Sequence, residues 1–159
     1  MYSDLKVIWN DTNIRIEQKI QLLDASVFSI LLYAADTWML KKADEKRLAA
    51  FEMHCYRRLL RIRWQDFQTN ESIRRQHTIV DTVRRRKLEL FGHICRMPDN
   101  RTLKRVLFGA VEGRNYQGRP RKCWVNDILK WCNMTLQQAS HHAQDRTTWR
   151  NLIAGPYGS

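Results

Sequence analysis

Arg57, Arg58, Arg61 and Arg63 crowd two turns of one helical stretch, and at 3.6 residues per turn they cannot all face a core. A guanidinium is a planar, permanently charged fork of donors that suits phosphate oxygens and base edges. A second run, Arg84, Arg85, Arg86 and Lys87, wraps a whole turn, so about two of its cations can face any one ligand. From it Arg84, Arg85 and Lys87 are taken as candidates. The third group lies in Gly113–Lys122, GRNYQGRPRK, which holds two Gly, one Pro and four basic residues: Arg114, Arg119, Arg121 and Lys122. Its glycines let the backbone approach a phosphate closely, and Tyr116 can stack on an unpaired base. For the two helical runs, a merely solvated charged face is the competing reading.

The placement of charge supports a polyanionic partner. The net charge is +12, yet residues 1–52 carry seven Lys/Arg against eight acids. The remaining 21 basic residues, against eight acids, all follow position 52. A one-sided basic excess rich in Arg points to nucleic acid. The 159 residues and a 43% apolar fraction are enough for a packed core and exclude global disorder. The longest apolar run, Ala25–Ala35, is too short for a bilayer, which needs about 20 residues. No membrane association is expected. No secretory signal is read, so Cys55, Cys95, Cys123 and Cys132 are expected as reduced thiols inside a cell.

Catalytic motifs are lacking. A polymerase holds two divalent metals on a Phe/Tyr-x-Asp-Asp turn and a further Asp, and this chain has no adjacent Asp pair. Asp44–Glu45 comes nearest, but it sits in a helix first turn where it complements the dipole. There is no GxxxxGK[ST] phosphate loop. A zinc knuckle wants two closely spaced ligand pairs, whereas eight residues separate Cys123 from Cys132 and a single one separates His93 from Cys95. No zinc, and no other cofactor of the chain itself, is expected; a set drawn from separate helices, His93, Cys95, Cys123 and Cys132, stays open. Cys55 and Cys95 fall on apolar stripes and read as small core residues.

The elements that must position these groups read as helices nearly throughout. Apolar steps of three and four predict a helix over 13–34, uniformly apolar towards its end, and another over 43–63. A break follows at Gln65–Thr69, with Thr69 capping a short helix. Thr78 begins a long helix that Pro98 stops, and Asn100 caps a short one ended by Gly109. After the basic loop come two helices, about 123–132 and 135–153, the latter opened by a Thr135/Gln138 capping box. The expected fold is all-α: an irregular bundle of about five to seven helices with one basic Gly/Pro-containing loop. Trp38 and Trp124 read as packing anchors.

Three segments in order carry a family likeness: Leu31–Trp38 (LLYAADTW); Phe91–Met97 (FGHICRM), preceded by Arg84–Leu88 (RRRKL); and Gly118–Trp124 (GRPRKCW), followed by Val125–Ile128. With Phe51–Trp64 (FEMHCYRRLLRIRW) and Thr69–Asn70 between them, they resemble the region that follows the palm in non-LTR (LINE-type) retrotransposon reverse transcriptases. The likeness runs from about Ile14 to Ile128. It departs at Ala34, where the family usually has Gly, at Asp36, where it has Glu, and at Cys123, which replaces a basic residue.

The resemblance implies a thumb-like subdomain over residues 1–64 and a basic C-terminal extension over 65–159. In the family the thumb grips the template–primer duplex, and the extension helps bind element RNA or target DNA. RNA, DNA or an RNA–DNA hybrid would be the ligand and the palm domain of the parent polymerase a partner. Mg would serve only that parent, and the setting would be the nucleus or a cytoplasmic ribonucleoprotein. The chain alone is not expected to be an enzyme. A translated retroelement relic without function, or a helical module binding an acidic protein, are the alternatives.

Overall fold

A computed structural model describes residues 8–73, 78–109 and 123–155. The loop candidates Arg114, Tyr116, Arg119, Arg121 and Lys122 lie outside the described residues. Among the described residues there are nine α-helices and no strand, so the fold is all-α, with more helices than the five to seven expected. The chain divides into two compact units, Met1–Ala35 with Lys42–Val80, and Asp36–Lys41 with Asp81–Ser159.

In the first unit, α1 (Ile16–Leu23) runs through a π-helical segment, Asp24–Phe28, into α2 (Ser29–Leu31). α3 (Lys42–Leu59) follows, with Asp44 and Glu45 in its first turn and Arg57 and Arg58 in its last, as the helix dipole favours. A 3-10 turn, Trp64–Asp66, leads to α4 (Asn70–Ile73). Phe28 meets Phe51 and Tyr56 edge-on, with ring centroids 6.4 and 6.0 Å apart, a geometry aromatic quadrupoles favour. Leu23, Met53, Cys55 and Leu59 complete this core. The run towards Ala35 is not buried all round. Phe28 and Leu32 turn inward, but Ile30 is 62% and Tyr33 82% exposed.

Two buried charges are satisfied by backbone in this unit. The Lys19 ammonium donates to the carbonyls of Trp9 and Asp11. The Glu52 carboxylate accepts from the Ile79 N–H at 3.2 Å, at the first residue of α5 (Ile79–Cys95). An acid there supplies one of the acceptors that a helix start lacks.

The second unit holds the rest of α5, then α6 (Thr102–Phe108), α7 (Trp124–Cys132), α8 (Leu136–Gln144) and α9 (Arg146–Ala154). Its core gathers Leu88, Phe91, Cys95, Ile128, Ala139, Ala143, Trp149 and Ile153. Trp149 donates its indole N–H to the Leu88 carbonyl at 2.9 Å. The ring passes so close to α5 that a Cβ on Gly92 would lie 2.4 Å from it. Gln144 and Arg96 tie α5 to α8, donating to the carbonyls of Cys95 (3.0 Å) and Ala143 (2.7 Å).

The single helix expected over 135–153 is two. Thr135 and Gln138 do form the capping box, but Asp145 leaves helical geometry and its carboxylate accepts from Thr147 N–H, starting α9 afresh. At α6 the cap position falls on Arg101 rather than Asn100, with no side-chain bond.

Candidate nucleic-acid interface

The first arginine group lies where α3 ends. Its last turn closes through Ile62 N–H donating to Arg57 O at 2.9 Å, with Arg61 in the left-handed region at φ 56°. This is the Schellman arrangement, usually built on glycine. Arg57 is half-buried and its guanidinium clamps the following segment, donating to Gln68 O at 2.7 Å and to Asn70 Oδ1 at 3.0 Å. Arg61 donates to Asn10 O at 2.6 Å. Arg58, Arg61 and Arg63 are all exposed.

Two residues that the sequence reading passed over complete this surface. Trp64 and Phe67 are 79% and 87% exposed. The turn that carries them is closed by Asp66, whose carboxylate accepts from Arg63 N–H at 2.6 Å while its own N–H donates to Arg63 O at 3.1 Å. Within residues 57–70 four arginines stand against the single acid Asp66. The available signal was a tryptophan and a phenylalanine in a segment that breaks helical periodicity, where neither has a core face to serve.

The second group divides by direction. Arg85 is exposed and approaches Glu89 at 3.9 Å, and Arg86, left out of the candidates, is exposed as well. Arg84 is partly buried, 5.7 Å above the Trp131 ring and 3.7 Å from Asp81. Lys87 leaves the phosphate-binding set. It is wholly buried, its ammonium 3.1 Å from Asp127 Oδ2 and 2.8 Å from Trp38 O. The rings of Trp124 and Trp131 lie 5.3 and 5.2 Å from the same nitrogen, within cation–π range. Trp124 in turn donates its indole N–H to Asp36 O at 2.8 Å.

Three of the segments that carry the family likeness therefore meet at one spot in the second unit. LLYAADTW supplies Asp36 and Trp38, RRRKL supplies Lys87, and GRPRKCW with its continuation supplies Trp124 and Asp127. Trp124 packs against the second unit's core, as read from sequence, whereas Trp38 contributes its backbone carbonyl. That spot is an interior polar knot, and the surface chemistry lies with the exposed arginines.

His93, Cys95, Cys123 and Cys132 do not gather, and no cluster of three or more His, Cys, Asp or Glu suited to a metal occurs among the described residues. Burial raises the Cys95 thiol pKa and pushes that of Cys132 up to about 11, so both resist becoming the thiolate a metal needs. No helix among the described residues is long and apolar enough to cross a membrane.

No protein-family profile and no solved structure matches the chain. It is similar to an uncharacterized transposon-derived protein of Caenorhabditis elegans, 28% identical over 152 residues, which cover 85% of this chain and 53% of that protein. The chain thus spans about half the length of this relative, and its likeness is to a product of transposon origin.

Proposed function

We propose that this chain is a nucleic-acid-binding helical portion of a non-LTR retrotransposon reverse transcriptase, contacting phosphates through arginine and performing no polymerization itself. The exposed Arg58, Arg61 and Arg63 at the end of α3 are the observation that carries this reading. Three such cations on a pinned turn form a ready electrostatic footprint for a phosphate backbone. The ordered segments resembling that family support it, as does the transposon-derived relative. The work is assigned to a longer protein, in which a palm would supply the metal-binding acids and this part would hold template–primer or element RNA. Its setting would then be the nucleus or a cytoplasmic ribonucleoprotein.

The test is binding of the purified chain to labelled RNA, DNA duplex and RNA–DNA hybrid across a salt series. Affinity should fall steeply with salt, and the Arg58→Ala/Arg61→Ala/Arg63→Ala variant should flatten the log–log slope by about two to three. A variant that binds with an unchanged slope would sink the assignment of these residues. Primer extension by the chain alone should give no product, and template-dependent synthesis would overturn the reading.

A second reading draws on Ile30 and Tyr33, which leave a large apolar area in water on α2 and the turn after it. In it the chain is a relic whose core was completed by a missing palm. Cooperative thermal unfolding of the isolated chain would count against it.

A further inference from the structure

Resting on that reading, we infer that Trp64 and Phe67 form a stacking platform for unpaired bases, so that the first unit's surface at the end of α3 takes single-stranded nucleic acid in preference to duplex. The two largest side chains of the 63–70 segment point into water, although their backbone is held from both sides. Asp66 closes the turn on Arg63, and the Arg57 guanidinium grips Gln68 O and Asn70 Oδ1. Phe67 is further held at φ 49°, a left-handed conformation that a bulky residue without a local hydrogen bond adopts at a cost. A backbone held this way keeps both aromatics outward, where their π faces are open to a ligand.

The partner follows from what surrounds them. An apolar protein groove would be met by an apolar rim, but this rim is cationic. Arg58, Arg61 and Arg63 are exposed in the stretch that leads into the pair, and Asp66 is the sole acid within 57–70. Aromatic faces and arginines carried by one short segment suit a strand that alternates bases with phosphates, because each base has a π face and each linkage an anionic oxygen. A continuous duplex hides its base faces in the stack and can use only the arginines. The platform therefore discriminates by strandedness and not by sequence.

The experiment compares the intact chain with Trp64→Ala, Phe67→Ala and Trp64→Phe. The probes are a labelled oligouridine strand about a dozen nucleotides long, within the span of single-strand sites on other proteins, and an RNA–DNA duplex of equal length. Each alanine variant should weaken strand binding about tenfold and duplex binding by less than about twofold. Trp64→Phe should restore most of the loss. Thermal midpoints matching the parent protein, as expected for exposed positions, exclude unfolding as the cause. Equal loss on both probes, or none on either, overturns the platform. Loss of binding only in the arginine variant leaves the nucleic-acid function standing and removes the platform. Absence of binding by the parent protein removes both.

Discussion

The ammonium of Lys87 sits 3.1 Å from the carboxylate of Asp127, with the lysine side chain wholly withdrawn from solvent. Desolvating both ions offsets much of their attraction, so the pair specifies an arrangement more than it stabilises one. Removing one partner is another matter, because it strands the other in a poor solvent. Asp127→Ala should cost about 3–5 kcal/mol in denaturant unfolding. The double variant Lys87→Met/Asp127→Leu should regain most of that. A double variant as damaged as the single would show that the ion pair itself stabilises the second unit.

Gly92 should tolerate no side chain. A Cβ there would lie 2.4 Å from Cδ1 and Nε1 of Trp149, a fully buried indole with no room to retreat. Gly92→Ala should lower stability by about 1–3 kcal/mol, the usual range for overpacking. It should do so although alanine favours a helix by about 1 kcal/mol over glycine. An unchanged midpoint would mean that the α5–α9 contact is looser than the geometry requires.

Ala34 occupies the left-handed region at φ 54°, the position where the resembling family usually carries glycine. Alanine pays about 1–2 kcal/mol there, while glycine loses about 0.4–1 kcal/mol more in ordering its backbone. The balance predicts that Ala34→Gly stabilises the chain by about 0.5–1 kcal/mol. Destabilisation would indicate that the Ala34 methyl makes a contact worth more than the strain.

Cys132 should make stability fall in alkali. Its thiol pKa rises by burial from an ordinary 9.0 to about 11, so the unfolded chain ionises first. The stability it confers is complete below pH 9 and is lost as pH climbs through 11. Cys95, raised by the same cause, acts in the same direction. Thermal midpoints between pH 8 and 11 should decline less in Cys132→Ala than in the parent chain. Parallel declines would place the effect elsewhere.

What the sequence disclosed was mainly local. The Thr135/Gln138 box needs partners three residues apart, and Thr69 caps by accepting from Ser72 N–H at 3.3 Å. Pro98 and Gly109 ended helices because each acts on its own backbone. Non-local features escaped. Lys87 read as one cation among four, since nothing near it announces Asp127 or the Trp38 carbonyl. Asp145 is the local exception: it sits in the polar run Gln144–Thr148, where the apolar period lapses, and a cap was legible there. Only the lapse in helical period marks Trp64 and Phe67 in the sequence, because exposure is a property of the folded chain.

The six tryptophans of this chain occupy environments of very different polarity, and this makes the protein its own optical reporter. Trp149 lies in an apolar interior with its N–H bonded to a carbonyl, whereas Trp64 stands in water beside arginines. Emission at the blue edge therefore reports the two buried indoles, Trp9 of the first unit and Trp149 of the second, and a soluble quencher reaches Trp64 first. A strand that shields the red-edge emission from quencher and leaves the blue edge unmoved would announce its seat without any label on either molecule.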